Sequence, residues 1–154
     1  MGMSTFTGPI TAGDVLDTTG TAVGSLKNVG YVEMAQSVAI TQATTSTAYA
    51  SAIVLPANSQ VLSIDVFATV AWDGTSSNLS VGTSATATEL VAATAISAIG
   101  RTALTPGTDA TRTGVWIDVG ANDVQVYFKS TNTGAGVGVA TVRYLQARSE
   151  EQHV

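Results

Sequence analysis

The side chains able to move protons or to hold a metal are few in this chain of 154 residues. The sequence contains no cysteine and a single histidine, His153, which is next to the last residue in a polar segment. A catalytic base must be held and oriented by neighbouring groups, which a solvated terminus does not provide. We therefore expect neither thiol catalysis nor a Ser-His-Asp mechanism.

Carboxylates are the remaining groups that could do chemistry. Asp65 and Asp73 lie on or beside one predicted strand, and Asp118 and Asp123 flank a predicted turn. Paired carboxylates can catalyse acid–base hydrolysis or bind Ca²⁺ through oxygen ligands. None of these has metal-ligand spacing, however, and isolated aspartates near turns are ordinary turn formers. We predict that the protein is not an enzyme and has no metal site and no cofactor.

A glycine-rich segment at 134–138 is similar to a fragment of a nucleotide-binding loop. Phosphate binding requires the glycines to follow a strand and to open a helix, so that backbone amides meet the phosphate. Here the glycines lead into an alternating stretch at 137–145 instead. Together with the turn formers at 131–134, they predict a flexible hairpin connection.

Aromatic side chains could stack on sugar rings, which would suit a carbohydrate-binding module. Trp72 continues the inward face of a predicted strand and Trp116 lies within another, so we place both in the core. Tyr31 and Tyr127 fall on the polar side of their predicted strands. We predict that these two tyrosines lie at a subunit interface, where aromatic residues are enriched.

The charge balance limits the possible partners. The formal net charge is −5, only 11% of the residues are charged, and no basic residue occurs between Lys27 and Arg101. Binding to nucleic acid needs clustered Lys and Arg, and a membrane helix needs an apolar run of roughly 18 residues, which this sequence lacks. We predict neither a nucleic-acid nor a membrane partner. A surface with so few charges suits a protein covered by other subunits.

The chain divides into three predicted parts. Residues 1–28 are rich in Thr, Gly and Asp with isolated apolar residues, which predicts an extended N-terminal arm. Residues 29–148 have strand-like patterns and form the predicted β-sandwich domain. Residues 149–154 are polar and form a predicted flexible C-terminal tail.

Alternating apolar and polar residues predict most of the fold. In the clearest run, 60–72, one face comprises Leu62, Ile64, Val66, Ala68, Val70 and Trp72. Further strands are predicted near 32–40, 47–55, 78–83, 99–104, 114–119, 122–130 and 137–147. Thr86 and Glu89 have the spacing of a capping box, which predicts one short helix at 87–97. The predicted fold is all-β: an antiparallel, jelly-roll-like β-sandwich of about eight strands with one short helix.

Several of these segments resemble the small virion proteins of tailed bacteriophages. They are FTGPITAG at 6–13, DTTG at 17–20, NVG at 28–30, LPAN at 55–58, VLSIDV at 61–66, AWDG at 71–74 and LSVGTS at 79–84. The resemblance implies a capsid decoration (cement) protein, a β-sandwich that is commonly trimeric. Such a protein lies on the outer surface of the virion capsid and bridges neighbouring major capsid subunits. The family has no catalytic residues to transfer.

The resemblance also suggests how the shell is bound. We expect the arm to contact the major capsid protein through Phe6, Pro9, Ile10, Val15 and Leu16. Before Lys27 the arm carries only the acidic charges of Asp14 and Asp17, which favours strand addition or apolar contacts over electrostatic docking. Small and β-branched residues on both faces of several strands favour a homo-oligomer, and the resemblance indicates a trimer. The alternatives are another virion appendage, such as a head fibre base or tail component, and a carbohydrate-binding module.

Overall fold

The computed structural model describes residues 31–147, which contain eight strands, one 3₁₀ turn and one α-helix. The strands are β1 (Tyr31–Thr41), β2 (Tyr49–Leu55), β3 (Gln60–Val70), β4 (Asn78–Gly82), β5 (Val91–Ala95), β6 (Gly100–Leu104), β7 (Val124–Ser130) and β8 (Val137–Ala147). The helix α1 spans Ala110–Ile117, and the 3₁₀ turn spans Thr44–Ser46. The predicted arm and tail lie outside the described residues.

The strands form two four-stranded sheets. The front sheet has the order β1-β8-β3-β6, and the back sheet has the order β2-β7-β4-β5. Each strand in the first half of the chain therefore pairs with its counterpart in the second half, β1 with β8, β2 with β7, β3 with β6 and β4 with β5. This is a long antiparallel hairpin wrapped into two sheets, which is the jelly-roll topology. The predicted all-β sandwich with one short helix is confirmed.

The core lies between the two sheets and is built by period-two alternation. Val126 and Phe128 of β7 are fully buried, while Gln125 and Lys129 point to solvent. Trp72, predicted to lie in the core, is buried there, and its Nε1 donates a hydrogen bond to a buried serine hydroxyl. Burial of each large apolar side chain stabilises the fold by about 1.5–3 kcal/mol.

The predicted alternation of β3 is confirmed only in the middle of the strand. Ile64, Val66 and Ala68 are fully buried, but Leu62 and Val70, predicted on the same side, are exposed. The register of β3 against β8 shifts near each end of the strand. A bulge inserts one extra residue, so the side chains beyond it exchange faces.

The predicted helix at 87–97 is wrong, because this segment contains a loop and then strand β5. Leu90, Val91 and Ile96 are fully buried in the sandwich core. An extended chain delivers them there while pairing with β4. The carboxylate of Glu89, expected to cap a helix, instead accepts hydrogen bonds from the loop that precedes β5.

The predicted strand at 114–119 is also wrong, because most of it belongs to helix α1. The helix begins after Asp109, whose Oδ1 accepts a hydrogen bond from the Arg112 amide at 2.9 Å, as an N-cap does. Trp116 is half-buried against the core, and its Nε1 donates to the Leu90 carbonyl at 2.9 Å. The cap and this docking offset the poor helix propensity of a segment that contains Gly114.

The predicted hairpin between β7 and β8 is wrong, because β7 belongs to the back sheet and β8 to the front sheet. The connection at 131–136 therefore crosses from one sheet to the other. Gly136 passes so close to Trp72 that a Cβ atom there would lie 2.7 Å from the indole ring. The glycines of this segment permit close packing in place of a tight hairpin turn.

The connections collect at two opposite ends of the sandwich. The loops after β1, β3, β5 and β7 meet at what we call the loop end, where the Trp72 amide bonds to the Ile96 carbonyl. The loops after β2, β4 and β6, with α1, meet at the terminal end, where the Val119 amide bonds to the Ser59 carbonyl. Strand β1 starts and strand β8 stops at the terminal end as well.

Candidate functional site

The predicted site residues are only partly within the described chain. Phe6, Pro9, Ile10, Val15 and Leu16 of the arm lie outside it. Tyr31 is the first residue of β1, and the structure describes its backbone alone. Tyr127 is half-buried on the outer face of the back sheet, where β7 places it between Ala50 of β2 and Gly82 of β4. Its predicted role at a subunit interface stays a prediction.

An apolar patch stands on the outer face of the front sheet. Phe67 of β3 is directly opposite Val139 of β8, and Val70 is opposite Val137. All four side chains are exposed, with Phe67 at 54% and Val139 at 41%. Cross-strand partners have Cβ atoms about 4.5–5.5 Å apart, so these residues form one continuous surface. We call Phe67, Val70, Val137 and Val139 the front patch.

The front patch is not among the surfaces predicted from the sequence, although the sequence contains a signal of it. Phe67 has the same parity as Ser63, Asp65 and Thr69, which the pattern places on the solvent side of β3. An aromatic residue on the polar face of a half-buried strand is typical of a contact surface. The alternating pattern could not place Val70 in the patch, because Val70 reaches the outer face only through a bulge in β3.

The charged side chains of the front face form ion pairs with one another. Arg101 of β6 contacts Asp65 of β3, with Nη2 to Oδ1 at 2.8 Å and Nε to Oδ1 at 3.0 Å. Arg143 of β8 contacts Glu33 of β1, with Nε to Oε1 at 3.0 Å. Two acids and two bases balance, so the described part of this face carries no net charge.

A second group of exposed apolar residues surrounds the terminal end. It comprises Val32, Met34, Val54, Leu62 and Ile117. Val32 and Met34 stand at the start of β1, beyond the point where Gln36 bridges to β2 through the amide and carbonyl of Val54. Val32 and Met34 are therefore among the first residues of the described chain, at the terminal end.

Two of the carboxylates considered for catalysis, Asp73 and Asp123, accept hydrogen bonds from backbone amides and so stabilise loops of the fold. Asp73 accepts from the Ala135 amide at 3.3 Å, and Asp123 accepts from the Ala57 amide at 2.9 Å. Between residues 31 and 147 no three acidic or histidine side chains come together as a metal site. In that same range, no helix has the length and apolarity needed to cross a membrane.

Gln42 joins three connections at the loop end. Its side chain is fully buried. Nε2 donates to the Asp73 carbonyl at 2.8 Å and to Oδ1 of Asn132 at 3.2 Å, while Oε1 accepts from the amides of Asp73 at 2.9 Å and Gly136 at 3.2 Å. Both donors and both acceptor positions of the amide are used. The loops after β1, β3 and β7 are therefore held by one side chain.

Glu89 anchors the loop at 83–90 on the outer face of β4. Its carboxylate accepts from the amides of Thr83 at 3.2 Å and Thr88 at 3.0 Å, and from the hydroxyls of Ser84 and Thr86. Burial opposes ionisation, but the hydrogen bonds from the hydroxyls and backbone amides outweigh it and lower the pKa from 4.5 to about 2. The loop packs so closely on Gly82 that a Cβ there would lie 2.6 Å from the Thr88 nitrogen.

The low pKa of Glu89 predicts a specific acid sensitivity. Because the folded value lies below the unfolded one, the stabilisation is complete above pH 4.5 and is lost as the pH falls towards 2. We expect Glu89→Gln to lower the free energy of unfolding by about 1–2 kcal/mol at pH 7, after allowing for partial solvent screening. Urea unfolding at pH 7 and pH 2.5 measures this. Equal differences between variant and wild type at both pH values would contradict the assignment.

A polar depression lies on the outer face of the back sheet. It measures about 350 Å³ and is lined by Ser46, Ser80, Thr86, Thr88, Lys129, Ser130 and Thr131. Tyr127 precedes Lys129 by two residues on β7, so both side chains lie on this face. Hydroxyls, one ammonium group and an aromatic ring on the same sheet face are groups that can contact a sugar.

Comparisons of the chain with protein-family models, with curated proteins and with solved structures find no match.

Proposed function

We propose that this chain is a structural virion protein that binds the outer surface of a tailed-phage capsid. It cements neighbouring major capsid subunits and acts as a homotrimer. The proposal rests on the resemblance to phage virion proteins and on a fold that viral capsid proteins also use. Because a fold alone does not determine function, the exposed surfaces have to indicate what the protein binds.

The terminal end is the surface that supports the proposal best. Five exposed apolar side chains surround it, and strand β1 begins there. Exposed apolar side chains grouped in this way are typical of a protein contact. We propose that this end faces the shell and contacts the major capsid protein.

Two exposed isoleucines provide a matched test of this orientation. Ile117 at the terminal end is 64% exposed, and Ile99 at the loop end is 71% exposed. We expect Ile117→Asp to weaken co-sedimentation with mature heads of the parent phage about 10-fold or more, because it desolvates a charge in an apolar contact. Ile99→Asp introduces the same charge and is expected to leave binding unchanged. Equal effects of the two substitutions would contradict the proposal that the terminal end faces the shell.

The arm is tested in the full-length chain. We expect Phe6→Asp combined with Ile10→Asp to abolish binding to heads, while the thermal unfolding of the sandwich is unchanged. If the double variant bound to heads as fully as the wild type, the arm would not take part in binding.

A wild-type chain that does not co-sediment with heads at all would overturn the proposed function. Immunogold labelling of virions then distinguishes a capsid location from a head fibre base or a tail component.

The polar depression on the back sheet favours a second candidate function, carbohydrate binding. Lys129, which lines the depression, lies on the same face of β7 as Tyr127, two residues away. A glycan array separates the two functions. A saturable signal that is lost on Tyr127→Ala would favour the carbohydrate module, since Tyr127 is an aromatic side chain on the same face of β7 as Lys129.

A further inference from the structure

We propose that the front patch lies on the rotation axis of the oligomer, where the Phe67 side chains of neighbouring copies meet. The occupant of the patch is thus a second copy of this chain. The inference rests on the homo-oligomer in the proposed function and identifies the surface that forms it.

Charge is the first reason for choosing a second copy. Identical groups face one another at a rotation axis, so a patch with net charge would repel itself. The chain as a whole carries −5, yet on the front face Asp65 is paired with Arg101 and Glu33 with Arg143. The four residues of the front patch are uncharged. This face can therefore meet its own copy without like-charge repulsion.

Shape is the second reason. A hollow of about 250 Å³ lies beside the ring of Phe67 and is lined by Asp65, Phe67, Arg101, Val139 and Thr141. A phenyl ring from a neighbouring copy that entered it would contact an aromatic ring and a guanidinium group. Both contacts are favourable, the first as an edge-to-face pair and the second as a cation–π contact. Phe67 thus projects from the sheet and also lines a hollow that can accept the Phe67 ring of another copy.

Position on the molecule is the third reason. Val70 and Val137 are at the loop-end side of the front sheet, since β3 finishes and β8 starts there. The patch is therefore away from the terminal end, where we place the shell contact. A single copy can use both surfaces at once, which a capsid-bound oligomer requires.

A single introduced cysteine tests the axis directly, because the chain has no cysteine of its own. Only a position near the axis meets its own copy, so we expect Phe67→Cys in the full chain to give covalent dimers with a short bismaleimide at micromolar concentration. Val54→Cys is the matched control, since Val54 is also exposed, at 40%, but lies on the back sheet. Equal dimer yields for the two variants would overturn the inference.

Mass measurements give a second readout. We expect light scattering to report an oligomer for the wild type and a monomer of 15.6 kDa for Phe67→Asp. The circular dichroism melt of this variant is expected to keep its cooperativity, because the side chain lies outside the core. A Phe67→Asp chain that keeps the wild-type mass would overturn the inference.

The outcomes separate this inference from the proposed function. An oligomer that depends on Phe67 but does not bind heads contradicts the function and supports the inference. Binding to heads by a wild-type chain that is monomeric in solution, together with no cross-linking of Phe67→Cys on the capsid, supports binding to the capsid and overturns the inference.

Discussion

Replacing Gln42 with glutamate is expected to destabilise the protein by about 3 kcal/mol or more at pH 7. The side chain is fully buried, and its Nε2 donates to the Asp73 carbonyl and to Oδ1 of Asn132. A carboxylate cannot donate, so two acceptors would face a buried negative charge. The same substitution leaves the shape of the side chain almost unchanged, so the effect isolates the hydrogen bonds and the charge.

The pH dependence identifies the cause. The amides of Asp73 and Gly136 still donate to the retained oxygen, but full burial and repulsion by two acceptors are expected to outweigh them and to raise the pKa of the introduced carboxyl group in the folded state above its unfolded value. The penalty is therefore largest above that raised pKa, and it decreases as the pH falls and the carboxyl takes up a proton. A protonated carboxyl can also donate one of the two lost hydrogen bonds. We expect the difference from the wild type to be smaller at pH 4.5 than at pH 7 in urea unfolding.

Gln60→Glu is the matched control, since Gln60 is exposed on β3 and receives the same change in charge. Surface substitutions of this kind change stability by about 0.5 kcal/mol or less. If Gln42→Glu were as stable as Gln60→Glu at pH 7, Gln42 would not be holding the loop end together.

The sequence predicts the strands well because their pattern is local. The side chains of Ile64, Val66 and Ala68 recur at every second position, and a strand is the conformation that buries them on one side. The same reasoning fails at Leu62 and Val70, because a bulge depends on the pairing partner and leaves no mark in its own strand. The face of the sheet on which a side chain lies therefore depends on the register between paired strands, which residues far apart in the sequence determine.

The helix was misplaced because one local motif has two structural uses. A hydroxyl at Thr86 with a carboxylate at Glu89 satisfies backbone amides at the start of a helix, and it does so equally in a compact loop. Burial of Leu90 and Val91 between the sheets decides in favour of the loop and strand. At α1 the deciding contact is also tertiary, since Trp116 docks on the carbonyl of Leu90.

The candidate surfaces show the same limit. Gln42, Asp73 and Asn132 are far apart in the sequence and meet only because the jelly roll brings alternate loops to one end. The front patch combines β3 with β8 in the same way. Phe67 alone carries a local signal, as an aromatic residue on a polar face. Composition predicts that such a protein has contact surfaces, but topology determines where they are.

Loss of the oligomer is expected to have a large effect on capsid binding. If three copies each make a modest contact with the shell, linking them can raise the overall affinity by about 10²–10⁴-fold over that of one copy. We expect Phe67→Asp to raise the half-saturation concentration for binding to heads about 100-fold or more. Titration of fluorescently labelled protein against purified heads, followed by sedimentation, measures this concentration.

Two controls separate the loss of avidity from a direct contact of Phe67 with the shell. Ala52→Asp adds the same charge at an exposed position of β2 in the back sheet, outside both the front patch and the terminal-end group, and is expected to keep both the oligomer and the binding to heads. Fusing Phe67→Asp through a flexible linker to a trimeric coiled coil restores three linked copies without restoring the phenyl ring. If avidity is the cause, the fusion regains most of the lost affinity. A fusion that stays as weak as the monomer would mean that Phe67 itself contacts the capsid, and the front patch would then belong to the shell interface.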